Sequence, residues 1–449
     1  MLSEALAKFI KKTTYEDLSS DVVEFTKLCI LDWYGSAVAG KDKVPIQMIA
    51  EFVDEMGGKS QSSLVTGGKS SMVNAALLNG AASHIVELDD IHKQSIVHAG
   101  TVVIPAALSI AEAKGKSGKD LITAVALGYD VCYRIGEAVS PSHYYYWHNT
   151  ATCGTFGAAV AAAKLLDLNE EQIIYTLGSA GTQAAGLWEF IEDGAMSKQL
   201  HTAKAAANGV TAALLAEKGF TSASKILEGK RGFFHAMSSE FNESRITDGL
   251  GEIFKIIENS FKIHASCRHT HPSVDLMIDL KNEHQLQTKD VKKIKVKTYQ
   301  VVLDITDNPN PTTIYAAKFS VQYCVALGLK NGSAGLHDFT QEALEDQEIR
   351  QIMEKIEVSV DYDINEAYPE KWGSKVEIEL NNGDLLSLET NYPKGDPEVG
   401  ITADELIKKF RTLASALSIN EQESMVQKIM NVNKILNVET FFSTNEVLS

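Results

Sequence analysis

The sequence predicts a mostly α protein with an α+β part: a large all-helical domain formed by both chain ends, with a smaller α+β domain inserted. Three observations predict it. Between Pro141 and Pro272 there is no proline, and that stretch is rich in alanine, leucine and small residues, as packed helices are. After about residue 285 the texture changes to alternation of charged with apolar or β-branched residues. From Ile401 onward the pattern is helical once more.

In chain order, DVVEFTKLCILDWYGSAVAG reads as a long helix ending at a glycine. GKDLITAVALGYDVCYRIGEAV, TFGAAVAAAKLLDL and TAKAAANGVTAALLAEKGF are apolar over most of their circumference, so they are expected to be buried helices. NEEQ at 169–172 and TADE at 402–405 carry N-cap residues with Gln or Glu three positions on. VKKIKVKTYQ and KIEVSVDYD alternate as strands do, and KVEIELNNGDLLSLET is two alternating runs around Asn-Asn-Gly-Asp, a hairpin. Helices such as AAKFSVQYCVALGL fall between these strands. The expected domains are 1–262 with 396–449, all-helical, and 263–395, α+β. There is no internal repeat or low-complexity tract.

The 449 residues are 44% hydrophobic and 22% charged, which is ordinary globular composition and ample for a large core. A formal net charge of -17 lacks the basic footprint of a nucleic-acid binder, although basic residues gathered locally still suit an acidic ligand. The start, MLSEALAKFIKK, does not read as a signal peptide, and no uncharged apolar run reaches membrane-spanning length. Five scattered cysteines without a CxxC pair suit reduced thiols in a cytoplasm rather than a disulfide frame or zinc knuckle.

Four clusters concentrate the chemistry. ELDDIHKQSIVHAG, 87–100, holds Glu87, Asp89, Asp90, His92, Lys93 and His98, and an apolar run follows it. In YYYWHNTATCGTFG, His148 precedes a Thr/Gly-rich helix start whose backbone N–H groups suit an anion. SKQLHTAKAAANG places Lys198, His201 and Lys204 at i, i+3 spacing, with His201 and Asn208 sharing a face. ASCRHTHPSVDLMIDL sets Arg268, His269 and His271 before a helix that Pro272 starts.

Each has a plain structural counterpart. His84 and His235 read as hydrogen-bonded core residues, and Lys93 as solvated. Arg-His-x-His crowds three potential cations into four residues, which is costly unless something anionic answers. Asp89 or Asp90 in an ion-pair network is one answer. A metal is another, but no HExxH or other strict ligand spacing is present, so none is expected. A polycarboxylate substrate is the third: cations and imidazoles beside paired aspartates suit deprotonation next to a carboxylate.

These clusters, in order, resemble the MmgE/PrpD family, which includes 2-methylcitrate dehydratases, cis-aconitate decarboxylases and iminodisuccinate epimerases. The matching stretches are ELDDIHKQSIVHAGTVVIPAALSIAEA, GYDVCYRIGEA, HNTATCGTFGAAVAAAKLLDL, KQLHTAKAAANGVTAALLAEKGFTSASKILEG and SCRHTHPSVD, extended by AKFSVQYCVA and GDPEVGITADELIKKF. The resemblance implies a helical domain with a smaller α+β lid, a homodimer, and chemistry without metal or organic cofactor. By motif match it puts active-site positions on Asp90, His98, His148, Lys198 and Tyr323. His92, His201, Lys204, Arg268, His269 and His271 are then the expected substrate-binding neighbours. Departures are Ile91 for a common threonine, Ala99 and Asn149 where proline usually follows the two histidines, and Ala203 for the glycine of LHxG.

The leading expectation is a cofactor-independent hydro-lyase acting on a hydroxy-polycarboxylic acid such as 2-methylcitrate. His148 or His98 is its base, Lys198 and Arg268 hold carboxylates, a second histidine or Tyr323 is its acid, and Asp90, ionised among these cations, orients an imidazole. The same site serves an epimerase of an imino- or amino-dicarboxylate or a decarboxylase of cis-aconitate. A helical dimer that binds an organic acid without turnover is the rival of another class. All forms act in the cytoplasm on a small polycarboxylate, with neither nucleic acid nor membrane as partner.

Overall fold

The computed structural model describes residues 1–441. It divides into two compact units. The first comprises Met1–Ile85, Asp89–Asn259 and the chain from Thr402 on. The second comprises Ser260–Ile401 together with the tripeptide Val86–Leu88.

The first unit is built on helices Ser20–Gly40, Met72–His84, Gly100–Ala113, Gly118–Val139, Asn149–Leu165 and Ser197–Glu217, most of whose residues are buried, many of them apolar or small. Their ends follow from local chemistry. Ser117 caps the Gly118–Val139 helix by accepting from Asp120 N while Asp120 accepts from Ser117 N, and Asn169 with Gln172 does the same for Glu170–Gln183. The glycines let helices approach closely. A Cβ on Gly128 would lie 2.9 Å from the Gly157 carbonyl oxygen, and one on Gly157 2.8 Å from that of Gly128, so the Gly118–Val139 and Asn149–Leu165 helices cross where neither carries a side chain. A two-residue ribbon, β1 Ser62–Ser63 with β2 Lys69–Ser70, is the strand content of this unit among the described residues. Ala403–Leu413 and Ile419–Met430 close it; the former packs on Ser20–Gly40 through Phe410 against Tyr34. No helix among the described residues is long and apolar enough to cross a membrane.

The second unit holds a four-stranded mixed sheet in the order β4-β3-β5-β6, with β3 Val291–Thr298, β4 Ile356–Val360, β5 Ser374–Leu380 and β6 Leu385–Thr390. β3 runs parallel to β4 and antiparallel to β5, and β5 and β6 form the hairpin. Alternation sorts the two faces. Ile294, Val296, Val376 and Ile378 are buried, while Lys292 and Lys297 on the other face reach Glu379 at 2.6 Å and Glu377 at 2.9 Å across the strands. Helices His271–His284 and Val321–Asn331 pack together beside it.

Candidate active site

The segment 89–100 is buried except for Gln94. That includes Lys93, so the solvated reading of this lysine is corrected; the apolar helix Gly100–Ala113 draws the whole segment in behind it. Its backbone is fastened at several points. His92 N donates to Val97 O at 2.9 Å, and His98 N donates to Thr150 Oγ1 at 3.1 Å. Asn149 Nδ2 donates to Ser95 O at 2.7 Å and to Ser140 Oγ at 2.9 Å. The proline expected here from the resemblance has no such amide, so Asn149 ties the segment to the Asn149–Leu165 helix. Ile96 sits at φ 52°, a left-handed conformation that costs a β-branched residue about 1–3 kcal/mol, and those fastenings hold it there.

The carboxylate that serves the imidazoles is Asp89. Its Oδ2 lies 2.7 Å from His84 Nδ1 and 3.1 Å from His98 Nδ1. Burial raises its pKa, but the two imidazole charges, His84 then His98, outweigh that and hold it well below the usual carboxylate range. His98 Nδ1 also lies 2.7 Å from the Asp90 carbonyl oxygen, which can only accept, so this nitrogen carries a hydrogen and leaves Nε2 for chemistry. Asp90, expected among cations and ionised, is placed differently. Its carboxylate accepts from Tyr129 OH at 2.6 Å, Asn259 Nδ2 at 2.7 Å and Gly100 N at 3.0 Å. Burial, then the Asp32 charge, pushes it up to about 7. Asp90 therefore pins the start of the Gly100–Ala113 helix through its side chain and touches His98 only through its backbone. A Cβ on Gly100 would come within 2.8 Å of both Asp90 Oδ1 and Tyr129 OH, so a side chain there would have to displace that hydrogen-bonded pair.

Against this group stand His148, at the start of the Asn149–Leu165 helix, and Lys198 and His201 on the first turns of Ser197–Glu217. His148 stacks near His84, 5.8 Å between centroids, and His84 meets His98 edge-on at 5.0 Å. His148 Nδ1 and His201 Nδ1 are 3.2 Å apart. Burial, then His201, His84, Lys198 and His98, holds His148 well below the ordinary imidazole range, and burial, then His84 and Lys198, lowers His201 to about 4. Two neutral imidazoles joined Nδ1 to Nδ1 share one hydrogen there. One ring therefore offers a basic Nε2 and the other an Nε2–H, a complementary base and acid. Lys198 is buried, whereas Lys204 is exposed. Lys204 falls outside the buried group because the i+6 position has turned away from Lys198 on the helix.

His92 is drawn elsewhere. It accepts from Ser95 N at 3.3 Å, faces Glu258 at 3.4 Å and stacks on Tyr133 at 4.2 Å. His235, expected in the core, is exposed.

The remaining sequence candidates lie in the second unit. Arg268 pairs with Asp396 and donates to His271 Nδ1 at 2.9 Å. His271 is held neutral by burial, then by Arg268; the same two causes lower His269 to about 3. The crowding of Arg-His-x-His is thus relieved by one carboxylate and two neutral rings. His269 Nδ1 meets Tyr299 OH at 2.7 Å under a stacked Trp372. Tyr323 packs near Phe339 with a buried hydroxyl that has no hydrogen-bond partner among the described residues, and burial pushes its pKa up. Lys262 and Glu87, 3.5 Å apart, form a buried ion pair that sequence reasoning did not single out.

Two sets of side chains have the make-up of a metal cage: His84, Asp89 and His98, and His92, Glu137 and Glu258. In the first, the His98 nitrogen nearest the others carries a hydrogen toward the Asp90 carbonyl. In the second, Lys255 Nζ already sits 3.0 Å from Glu137 and 3.2 Å from Glu258. The first set is thus joined by hydrogen bonds, and the second surrounds an ammonium.

Two family models match the sequence, the MmgE/PrpD N-terminal domain over residues 4–245 and the MmgE/PrpD C-terminal domain over 264–434. The chain belongs to the MmgE/PrpD family. This MmgE/PrpD chain is similar along nearly its whole length to the cis-aconitate decarboxylase of Aspergillus terreus, 28% identical over 443 residues, 92% of this chain and 89% of the relative. It is 24% identical to the cis-aconitate decarboxylase of Homo sapiens over 461 residues, 97% of this chain and 92% of that one. Against the mitochondrial 2-methylcitrate dehydratase of Yarrowia lipolytica, 30% identity extends over 202 residues, 42% of this chain and 38% of the relative.

Proposed function

We propose that this MmgE/PrpD chain is a lyase that moves a proton at a carbon beside a carboxylate of a small polycarboxylic acid, using its own side chains. The observation that carries the reading is the buried His148–His201 pair beside Lys198. A neutral imidazole is the right form to take a proton near pH 7, and a buried ammonium is the right neighbour for the charge that builds on the carboxylate as the proton leaves. His98, its Nδ1 held by Asp89 and the Asp90 carbonyl, presents its Nε2 as a second proton-transfer group.

A complementary base and acid suit removal of a proton from one carbon and protonation of a hydroxyl leaving from the next. The leading reading is therefore dehydration of a hydroxy-polycarboxylate such as 2-methylcitrate. A second reading, decarboxylation of an unsaturated tricarboxylate such as cis-aconitate, is favoured by relatives of that name that match over nine-tenths of the chain. The homodimer, the lid role of the α+β unit and a cytoplasmic setting belong to the same proposal and rest on the family.

Product analysis by NMR on a panel of hydroxy-, imino- and unsaturated polycarboxylates tests it. An alkene with loss of water supports the leading reading, and carbon dioxide supports the second. An epimer without bond cleavage, or no turnover of any panel member, contradicts both.

A further inference from the structure

His84 is the least expected member of the site. It ends the Met72–His84 helix, is fully buried, and lies in a sequence context that suggests packing alone. Yet the same Asp89 oxygen that meets His98 meets His84 more closely, at 2.7 against 3.1 Å. Asp89 Oδ1 is buried with no hydrogen-bond partner among the described residues, and both rings meet the carboxylate at Oδ2. The ring of His84 also lies between the two proton-transfer imidazoles, 5.0 Å from His98 and 5.8 Å from His148.

We propose that His84 is a positioning residue that acts through Asp89 to set how firmly His98 is held in the form that proton transfer needs. Two Nδ1–H groups share one anionic oxygen. Whatever part of that charge His84 draws is withdrawn from His98, and when His84 is neutral the whole of it is available to stabilise a proton gained at His98 Nε2. No proton need pass along the chain: the hydrogens stay on the two Nδ1 atoms, and only the strength of the hold on His98 changes. The titratable and charged groups that face this arrangement are Asp89 and His98 from the 89–98 segment, His148 at the head of Asn149–Leu165, and His201 and Lys198 from Ser197–Glu217. Lys198 and the imidazoles add like charge around the Asp89 oxygen, which makes its division between two rings consequential.

The inference rests on His98 taking part in turnover as proposed above, and the experiment separates the two. His84→Asn keeps a neutral donor near the Nδ1 position, whereas His84→Leu removes it. The expected result is that His84→Asn keeps the high-pH rate within about tenfold while the acid limb of its pH–rate profile moves up by about one unit, and that His84→Leu, which leaves the Asp89 oxygen to His98 alone, moves that limb further in the same direction with KM little changed. Folded variants of both kinds with the wild-type rate and profile overturn the proposal. If the variants do not fold, long-range ¹H–¹⁵N spectra of histidine-labelled wild-type protein still decide. Hydrogens on Nδ1 of both His84 and His98 are expected, and an Nε2–H-only tautomer at either ring overturns it. A His98→Asn variant with near-wild-type activity fails the functional reading instead, whatever the tautomers show.

Discussion

Asp89 and Asp90 are adjacent in sequence and opposite in role. Asp89 faces two imidazoles and stays ionised, whereas Asp90 faces a phenol, an amide and a backbone N–H, and burial lifts it to about 7. A double aspartate in a sequence signals carboxylates near histidines but not which of them turns toward the rings. That depends on Tyr129 and Asn259, residues 39 and 169 positions away from Asp90. His148, Lys198 and His201 stood out because a polar residue in a small-residue helical context is conspicuous, and His98 because its stretch is crowded with titratable groups. His84 was not, because one histidine in a buried helix has the same signature as any core histidine. At this scale the account predicts that His148→Asn and Lys198→Ala each lower kcat about 10²–10⁴-fold while the thermal midpoint stays near wild type. Calorimetry alongside steady-state kinetics checks it. Unfolding at room temperature in either variant assigns that residue to structure instead. Asp90→Ala has the opposite profile, with a clear loss of stability from three orphaned donors, read in urea titrations.

Among the elements, the joint at Gly100 is the one that bears on the candidate site. Gly100→Ala forces a methyl against Asp90 and Tyr129, and a loss of about 1–3 kcal/mol in unfolding free energy is expected, with turnover impaired because His98 hangs on the Asp90 carbonyl. The Gly100–Ala113 helix also carries Glu112, which accepts from Ser63 N at 2.6 Å. Burial raises it from 4.5 to about 7. A raised folded pKa means stability that is present below the unfolded value and lost as pH climbs through about 7. Wild type should therefore lose about 2 kcal/mol relative to Glu112→Gln between pH 5 and 8, as measured by urea unfolding at both. A flat difference contradicts the assignment. Element identity was largely legible: the capped helices and the Asn-Asn-Gly-Asp hairpin follow from local chemistry that packing did not override. The association of Val86–Leu88 with the second unit was not, since it depends on long-range partners such as Lys318, whose Nζ donates to Val86 O at 2.7 Å.

For the molecule as a whole, the net charge of -17 sits on a chain whose buried candidate site gathers imidazoles and an ammonium around the Asp89 carboxylate, so the acidic surplus lies outside that group. The whole-molecule class was readable because texture changes along the chain mark the helical and mixed parts. Substrate choice was not, because dehydration, epimerisation and decarboxylation share a carbanion-like intermediate and call for the same residue types. Metal independence belongs to this scale as well. Active protein treated with a strong chelator and then desalted should keep its full rate by kinetic assay, and stoichiometric zinc or iron lost together with activity would contradict that. The central claim is that the His148–His201 pair moves a proton at a carbon beside a carboxylate. Turnover of substrate deuterated at that carbon, followed by NMR on the substrate and product pools, tests it most directly. The account predicts that wild-type protein releases that deuterium to solvent and that His148→Asn releases it at least about 10²-fold more slowly. Turnover in which the deuterium stays on that carbon, or equal release by the variant, would contradict it.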